Sequence, residues 1–146
     1  MNDVKSIIQE NNTVLVEMLD QCVADIKAAS DLSISAIKNG KKIIWCGNGG
    51  SAADAQHLAA EFVSKLAKDR APLPAEALTV DSSILTAIGN DYGYEKIFSR
   101  QIEGKLNKND IFLGITTSGN SKNIIKALET CSDKNIKSIV FTGHNG

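Results

Sequence analysis

The segment Lys42–Ser51 reads Lys-Ile-Ile-Trp-Cys-Gly-Asn-Gly-Gly-Ser, and it decides the fold. Its first half, Lys42–Cys46, is a short apolar run with two adjacent β-branched residues, which predicts a strand buried on both faces of a parallel sheet. A glycine-rich turn, Gly47–Ser51, follows it, and the residues from Ala52 to about Leu66 predict a helix. This order of strand, turn and helix is typical of the first part of a βαβ unit.

The rest of the chain continues the alternation of strands and helices. Further strands are predicted at 75–80, 110–115 and 136–142, and further helices at 82–88, 95–105 and 122–131. We therefore predict an α/β fold, a three-layer αβα sandwich with a parallel sheet and helices on both faces. A single domain would take up residues 1–146. Ligands of such sheets bind at the carboxyl ends of the strands.

A long helical segment is predicted ahead of the first strand, over residues 4–38. Apolar side chains recur there at three- and four-residue spacing, no proline interrupts them, and Asn39-Gly40 provides a stop. The apolar stripe is longer than one small sheet can cover. We therefore expect part of it to pack on another subunit.

Composition and charge argue against several classes of protein. The 16 basic and 17 acidic residues leave a net charge of −1, which gives no electrostatic basis for binding nucleic acid or an anionic membrane. The sequence has no apolar run long enough to span a membrane and no signal peptide. The cysteines are far apart and form no C-x-x-C pair, which favours reduced thiols in the cytoplasm; they are Cys22, Cys46 and Cys131.

Glycines dominate the loop after the first strand. They let the backbone approach an anion closely, and the helix that follows directs its free N–H groups at the same point. Gly47-x-Gly49-x-x-Ala52 also matches a dinucleotide fingerprint. That fingerprint requires an acidic residue about 20 positions later, which is missing here: Asp81, after the second strand, comes too late in the sequence. A tight turn without a ligand is a third interpretation.

Hydroxyl side chains dominate the loop after the third strand, Thr116–Ser121, which contains four of them and a glycine. Hydroxyls and backbone N–H groups at a helix N-terminus suit a phosphate. No Walker lysine pattern is present, which argues against ATP or GTP. The alternative is a group of N-capping residues, although one hydroxyl would suffice for a cap.

His57 and Glu61 are four residues apart, which places both side chains on one face of the helix after the glycine loop. A carboxylate beside a bound sugar phosphate could move a proton between adjacent carbons, and a His/Glu pair could hold a metal. From spacing alone, a solvated surface pair is the favoured interpretation. Asn90-Asp91 predicts a polar turn at a helix end.

Four segments together resemble phosphoheptose isomerases, in the family's order and spacing. They are Cys46–His57, Ile88–Gly93 (Ile-Gly-Asn-Asp-Tyr-Gly), Phe98–Gln101 and Gly114–Ser121. The resemblance implies a sugar-isomerase (SIS) domain, usually in a homotetramer, that converts sedoheptulose 7-phosphate to D-glycero-D-manno-heptose 7-phosphate. That reaction is the first step towards nucleotide-activated heptose for lipopolysaccharide core, capsule or S-layer glycans.

The resemblance also implies roles for individual residues. The phosphate would be held by Ser51, Thr116, Thr117, Ser118 and Ser121. Other substrate contacts would come from Asn48, Gly49, Gly50, Asn90 and Asp91. Glu61 would be the general base that acts through a cis-enediol, with His57 beside it, and both would be ligands of one zinc ion per subunit.

The family's sequences continue past the fourth strand with a further strand and a long helix, which supply a glutamine and a histidine to the metal site and the acid–base pair. We expect this chain to lack them and to show little or no turnover by itself. The rival function is non-catalytic: a sugar-phosphate-binding SIS protein or one that associates with the DnaA initiator. The presence of both His57 and Glu61 favours the enzyme.

Overall fold

The computed structural model describes residues 3–143, which form six α-helices, a short 3₁₀ helix and four strands. In chain order the elements are α1 (Val4–Gln21), α2 (Val23–Lys38), β1 (Ile43–Gly47), α3 (Gly50–Val63), β2 (Ala75–Ala77), α4 (Ser82–Tyr92), the 3₁₀ helix (Tyr94–Lys96), α5 (Ser99–Lys105), β3 (Ile111–Thr116), α6 (Lys122–Asp133) and β4 (Lys137–Thr142).

The chain divides into two compact units, of which the first ends at Ile34 and the second begins at Ser35. In the first unit, α1 and α2 meet at Cys22, whose φ of −110° and ψ of −8° interrupt the helix only slightly. The long helical segment predicted over residues 4–38 is thus present with one break. No residue of α1 is buried, and its large apolar side chains are exposed, from 40% at Met18 to 70% at Val4.

The second unit is built on a parallel sheet with the strand order β2-β1-β3-β4. Every residue of β1 is buried, as expected of a central strand in a parallel sheet. Its partner β3 is buried except at Ile115, and the register aligns Ile43 with Ile111 and Gly47 with Ile115. The predicted parallel α/β fold is confirmed.

Helices cover both faces of the sheet. Side chains alternate between the two faces along each strand, so each strand contributes to both helix–sheet interfaces. On one face, Ile44 and Phe112 belong to a core cluster that includes Ile102 of α5 and Ile124 of α6. On the other, the ring of Trp45 packs on Phe62 of α3, with centroids 5.9 Å apart. This arrangement is the predicted three-layer αβα sandwich.

Two predicted boundaries around α4 were wrong in a way that affects the site. The sequence predicts a helix that ends at Ile88 and a polar turn at Asn90-Asp91, but α4 continues to Tyr92 and contains both residues. A glycine inside a helix costs only about 1 kcal/mol relative to alanine, so Gly89 does not end it. The helix ends instead at Gly93, whose φ of +93° is incompatible with continuing the helix.

Candidate functional site

The glycine loop and the hydroxyl loop lie side by side, because β1 and β3 are neighbours and both strands run in the same direction. From β1 the chain moves to β2 on one side, and from β3 it moves to β4 on the other. The sheet therefore has a topological switch point between β1 and β3. Crevices at the carboxyl ends of such strands are where ligands bind in open α/β sheets.

The glycine loop turns too tightly for any larger residue at Gly47. A Cβ atom there would lie 2.5 Å from the backbone oxygen of Ser51. At the next glycine, Gly49, φ is +54°, a conformation that glycine adopts without strain. Helix α3 begins two residues earlier than predicted, so Gly50 and Ser51 form its first turn. Sequence analysis placed these residues at the substrate, and the structure places them at the crevice.

The N-terminus of α3 has no side-chain cap. The carbonyl oxygen of Gly49 accepts hydrogen bonds from the amides of Ala52 and Ala53. Helix geometry leaves the earlier amides, those of Gly50 and Ser51, without an intrahelical acceptor. Two backbone N–H groups and the positive end of the helix dipole are thus available to an anion.

The hydroxyl loop presents a second uncapped helix. Ser121 is the N-cap residue of α6, yet its side chain makes no capping hydrogen bond. Its Oγ instead accepts a hydrogen bond from Thr116 Oγ1, at 3.2 Å. Thr117 and Ser118 are exposed at the mouth of the loop, while Thr116 is buried. The interpretation of these hydroxyls as helix caps does not hold for Ser121, and both helix N-termini at the crevice remain open to an anion.

A pair of asparagine side chains joins the glycine loop to the first turn of α6, directly after the hydroxyl loop. Asn48 Nδ2 donates to Asn123 Oδ1 and Asn123 Nδ2 donates to Asn48 Oδ1, both at 2.8 Å. Tyr94 Oη also donates to Asn48 Oδ1, at 3.3 Å. Asn48 is one of the predicted substrate contacts, but Asn123 was missed by sequence reasoning.

His57 and Glu61 lie on one face of α3, as their spacing predicts. His57 Nε2 is 3.8 Å from Glu61 Oε1, and 72% of the His57 side chain is exposed against 27% of the Glu61 side chain. The second carboxylate oxygen, Glu61 Oε2, is buried and has no hydrogen-bond partner. A solvated surface pair does not account for a buried acceptor that is left unsatisfied. Glu61 is therefore suited to contact a ligand.

The same two residues do not form a complete metal site by themselves. Over residues 3–143, no group of three or more histidine, cysteine, aspartate or glutamate side chains is placed to hold a metal ion. A nitrogen from His57 and an oxygen from Glu61 have the right chemistry for zinc, but a catalytic zinc ion usually takes three protein ligands. One more donor is needed than the described residues supply.

The thiol nearest the crevice is not available for chemistry. Cys46 directly precedes Gly47 and is completely buried. Burial raises the pKa of the Cys46 thiol well above its usual value, and the proximity of Cys131 raises it further. At neutral pH this residue is therefore a neutral thiol, which is neither a nucleophile nor a metal ligand.

Asn90 and Asp91 are on the last turn of α4, and both are exposed. The Asn90 amide donates to Asp91 Oδ1 at 2.8 Å. Among residues 3–143, neither side chain hydrogen-bonds to the glycine loop or the hydroxyl loop. The remaining acidic candidate, Asp81, caps α4 by accepting from the amide of Ile84, so it is not placed as the ribose ligand of a dinucleotide site.

Known proteins share this arrangement. A family model described as the SIS domain matches residues 8–143. The phosphoheptose isomerase of Aneurinibacillus thermoaerophilus is 52% identical over an alignment that covers 100% of this chain and 75% of that protein. The corresponding protein of Aquifex aeolicus is 48% identical, with 100% and 76% covered. The structure of phosphoheptose isomerase from Neisseria gonorrhoeae has a TM-score of 0.89 at 40% identity and covers 98% of this chain and 75% of that one.

The chain belongs to the phosphoheptose isomerase family of SIS-domain proteins. The structure from Francisella tularensis agrees, with a TM-score of 0.92 at 38% identity. The matches span both loops of the crevice and the helix that bears Glu61. In the part of this family member that the structure describes, no helix combines the length and the apolar character needed to cross a membrane.

Proposed function

We propose that this chain supplies the sugar-phosphate site of an aldose–ketose isomerase that converts sedoheptulose 7-phosphate to D-glycero-D-manno-heptose 7-phosphate. The observation that carries the proposal is the position of Glu61. Its unsatisfied, buried carboxylate oxygen is on the helix that begins at the glycine loop. A proton acceptor and an anion site are thus built on one rigid element.

The phosphate group would bind between the two open helix N-termini. Thr117 and Ser118 would donate hydroxyl hydrogen bonds, the amides of Gly50 and Ser51 would donate from the other side, and both helix dipoles would favour the negative charge. Hydrogen bonds to a charged acceptor are stronger than those to a neutral one. Their combined effect would fix one end of the sugar and leave its carbonyl end to reach Glu61.

Glu61 would then act as the general base. It removes a proton from C1 of the ketose while the C2 carbonyl oxygen gains a proton, which gives a cis-enediol. Return of the proton to C2, with loss of the O1 proton, forms the C1 aldehyde. One carboxylate held above both carbons can remove the proton from C1 and return it to C2. The oxygen-to-oxygen transfer needs a second acid–base group, which we assign to the family's C-terminal histidine.

Zinc is a further part of the proposal. His57 and Glu61 would contribute two ligands, and the family's C-terminal glutamine and histidine would complete the set. Bound zinc would polarise the substrate's oxygens.

The proposal extends to assembly, location and pathway, which family membership supports. We propose a homotetramer in the cytoplasm, in which the exposed apolar side chains of α1 are covered by neighbouring subunits. The product would feed the synthesis of nucleotide-activated heptose for lipopolysaccharide core, capsule or S-layer glycans. No nucleic acid and no membrane would be partners.

The deciding experiment compares two proteins with sedoheptulose 7-phosphate. One is this chain, and the other is this chain joined to the remaining C-terminal quarter of the Aneurinibacillus thermoaerophilus relative. We expect both to bind the sugar phosphate by calorimetry, and the extended protein to form the aldose by ¹³C NMR. Binding without isomerisation by the extended protein would favour the non-catalytic SIS function, and absence of binding in both would exclude the proposal.

A further inference from the structure

Asn123 has a buried side-chain amide whose partner, Asn48, lies in the glycine loop. It is the second residue of α6 and is 3% exposed, so it does not reach the crevice itself. Its carboxamide exchanges two hydrogen bonds of 2.8 Å with that of Asn48, 75 positions away in the sequence. Buried amides are normally satisfied by backbone groups or water, so a reciprocal side-chain pair is an unusual solution.

The asparagine pair lies just past the end of the β1–β3 pairing, where the sheet no longer holds the two segments together. The ladder between β1 and β3 ends with Gly47 aligned to Ile115, and Asn48 is the next residue. Helix α6 is independently attached to the core through Ile124, Ala127 and Cys131, all fully buried. Attachment of the helix therefore does not require Asn123. What the pair adds is a fixed spacing between the two loops.

The Asn48 side chain has one hydrogen-bond donor left for a ligand. Its oxygen accepts from Asn123 and Tyr94, and one of its two N–H groups donates to Asn123. A carboxamide has two N–H donors, so one N–H remains. Asn48 is half-buried in the glycine loop, two residues before Gly50.

We propose that Asn123 is a positioning residue that acts through Asn48 to hold the two uncapped helix N-termini at the separation that a phosphate group requires. The inference rests on the proposed function for the identity of the ligand. Loss of the Asn123 amide would leave the Asn48 side chain with only the longer hydrogen bond from Tyr94, at 3.3 Å, and the glycine loop free to move away from the hydroxyl loop. Affinity for the sugar phosphate would fall although no group that contacts it had been removed.

A double-mutant cycle tests the proposal. Asn123→Ala should weaken binding of sedoheptulose 7-phosphate by about tenfold, within the range of coupling between contacting residues. In an Asn48→Ala background, the same substitution should change the dissociation constant less than twofold. The matched control is Thr130→Val, a buried polar site on the same helix that bonds only to its own backbone; it should lower the melting temperature without changing affinity. Equal effects of Asn123→Ala in both backgrounds would overturn the proposal.

A second measurement does not depend on the ligand. The amides of Ala52 and Ala53 bond to Gly49 O within the glycine loop. Asn123→Ala should increase their hydrogen-exchange rates while those of β1 stay unchanged. If wild type binds no sugar phosphate, the proposed function fails, and this exchange pattern still decides whether Asn123 holds the loop. Unchanged exchange at Ala52 and Ala53 would overturn the positioning role even where the sugar phosphate binds.

Discussion

Thr116 Oγ1 donates its hydrogen bond sideways to Ser121 Oγ, at 3.2 Å, and closes the hydroxyl loop across its base. Ser121 would otherwise be free to cap α6, in the way that Asp81 caps α4 by accepting from Ile84 N. Side-chain caps stabilise helices by about 1 kcal/mol. Helices α3 and α6, which face the crevice, have no such cap, and neither do α1 and α5. At α3 and α6, the uncapped N–H groups are free for a ligand of the crevice.

The first prediction concerns the exposed hydroxyls of that loop. Ser118→Ala and Thr117→Ala each remove one donor to a phosphate dianion, and hydrogen bonds to charged groups contribute about 1.5–3 kcal/mol. We expect the dissociation constant for sedoheptulose 7-phosphate to rise about ten- to a hundredfold, as measured by calorimetry. Ser132→Ala, at the opposite end of α6, is the matched control. Equal affinities of all three variants and wild type would place the phosphate elsewhere.

Sequence patterns predicted the sheet because β1 and β3 are short, mostly apolar runs bounded by turn residues, which is typical of a buried parallel strand. The strand predicted at 75–80 is shorter in the structure, where β2 ends at Ala77. The end of α4 was misplaced for a local reason. Gly89-Asn90-Asp91 has the composition of a turn, yet Ile88 and Leu85 pack on the core cluster and hold the helix in register past the glycine. Packing of that kind is a tertiary effect, and the three-residue pattern does not contain it.

The site was predictable where one segment carries the signal. The glycines after β1 form one continuous segment and the hydroxyls after β3 form another, so the sequence of each loop by itself indicates an anion-binding site. Asn123 was missed because its partner is 75 positions away. A signal existed nonetheless: Asn123 lies on the same face of α6 as Ala127 and Thr130, which are buried. A polar residue on a buried helix face requires a partner.

The second prediction concerns zinc. With only His57 and Glu61 as donors, this chain should retain far less than one zinc ion after dialysis, as measured by elemental analysis. The chain joined to the C-terminal quarter of the Aneurinibacillus thermoaerophilus relative should retain about one, and His57→Ala should abolish that retention. Stoichiometric zinc in this chain alone would show that other ligands had been overlooked, such as His144, which lies outside the described residues.

The third prediction concerns assembly. Leu15 is half exposed on the apolar face of α1, and Leu15→Lys would place a charge where we expect another subunit. Sedimentation velocity should then report smaller species than wild type. Thr13→Lys adds the same charge on nearly the opposite face of the helix, since residues two apart are separated by about 200° of rotation; Thr13 is exposed, and the change should leave assembly unchanged. Identical sedimentation of wild type and Leu15→Lys would contradict the proposed interface.

The fourth prediction concerns the buried thiols. Burial raises the pKa of Cys131 to about 11, against the opposing effect of the Ser138 hydroxyl, and Cys46 is raised as well. A Cys22→Ser variant should therefore show no thiol that reacts with Ellman's reagent at pH 8 in the native state, and two after denaturation. Rapid reaction of either thiol with Ellman's reagent in the native state would show that the core opens.

The same pKa shifts give a pH dependence with a defined sign. Unfolded thiols lose their protons near pH 8.5, whereas the folded Cys131 does so only near 11. Between these values the unfolded state binds fewer protons, so the free energy of unfolding falls as pH rises. Below pH 8.5 the contribution is constant. Urea melts of the Cys22→Ser variant should show this decrease, and Cys131→Ala in the same background should reduce it.

The last prediction concerns catalysis and separates the enzyme from a binding module. Glu61→Gln retains the size and most hydrogen bonds of the side chain, but an amide cannot accept a proton from carbon. Loss of one general base typically costs about 10²–10⁴-fold in rate. In the extended protein, turnover of sedoheptulose 7-phosphate should fall by that factor while substrate affinity stays within a few-fold. Glu103→Gln, on the exposed surface of α5, should change neither quantity. An unchanged rate for Glu61→Gln in an active extended protein would show that another group is the base, and the buried, unpartnered oxygen of Glu61 would then need a different explanation.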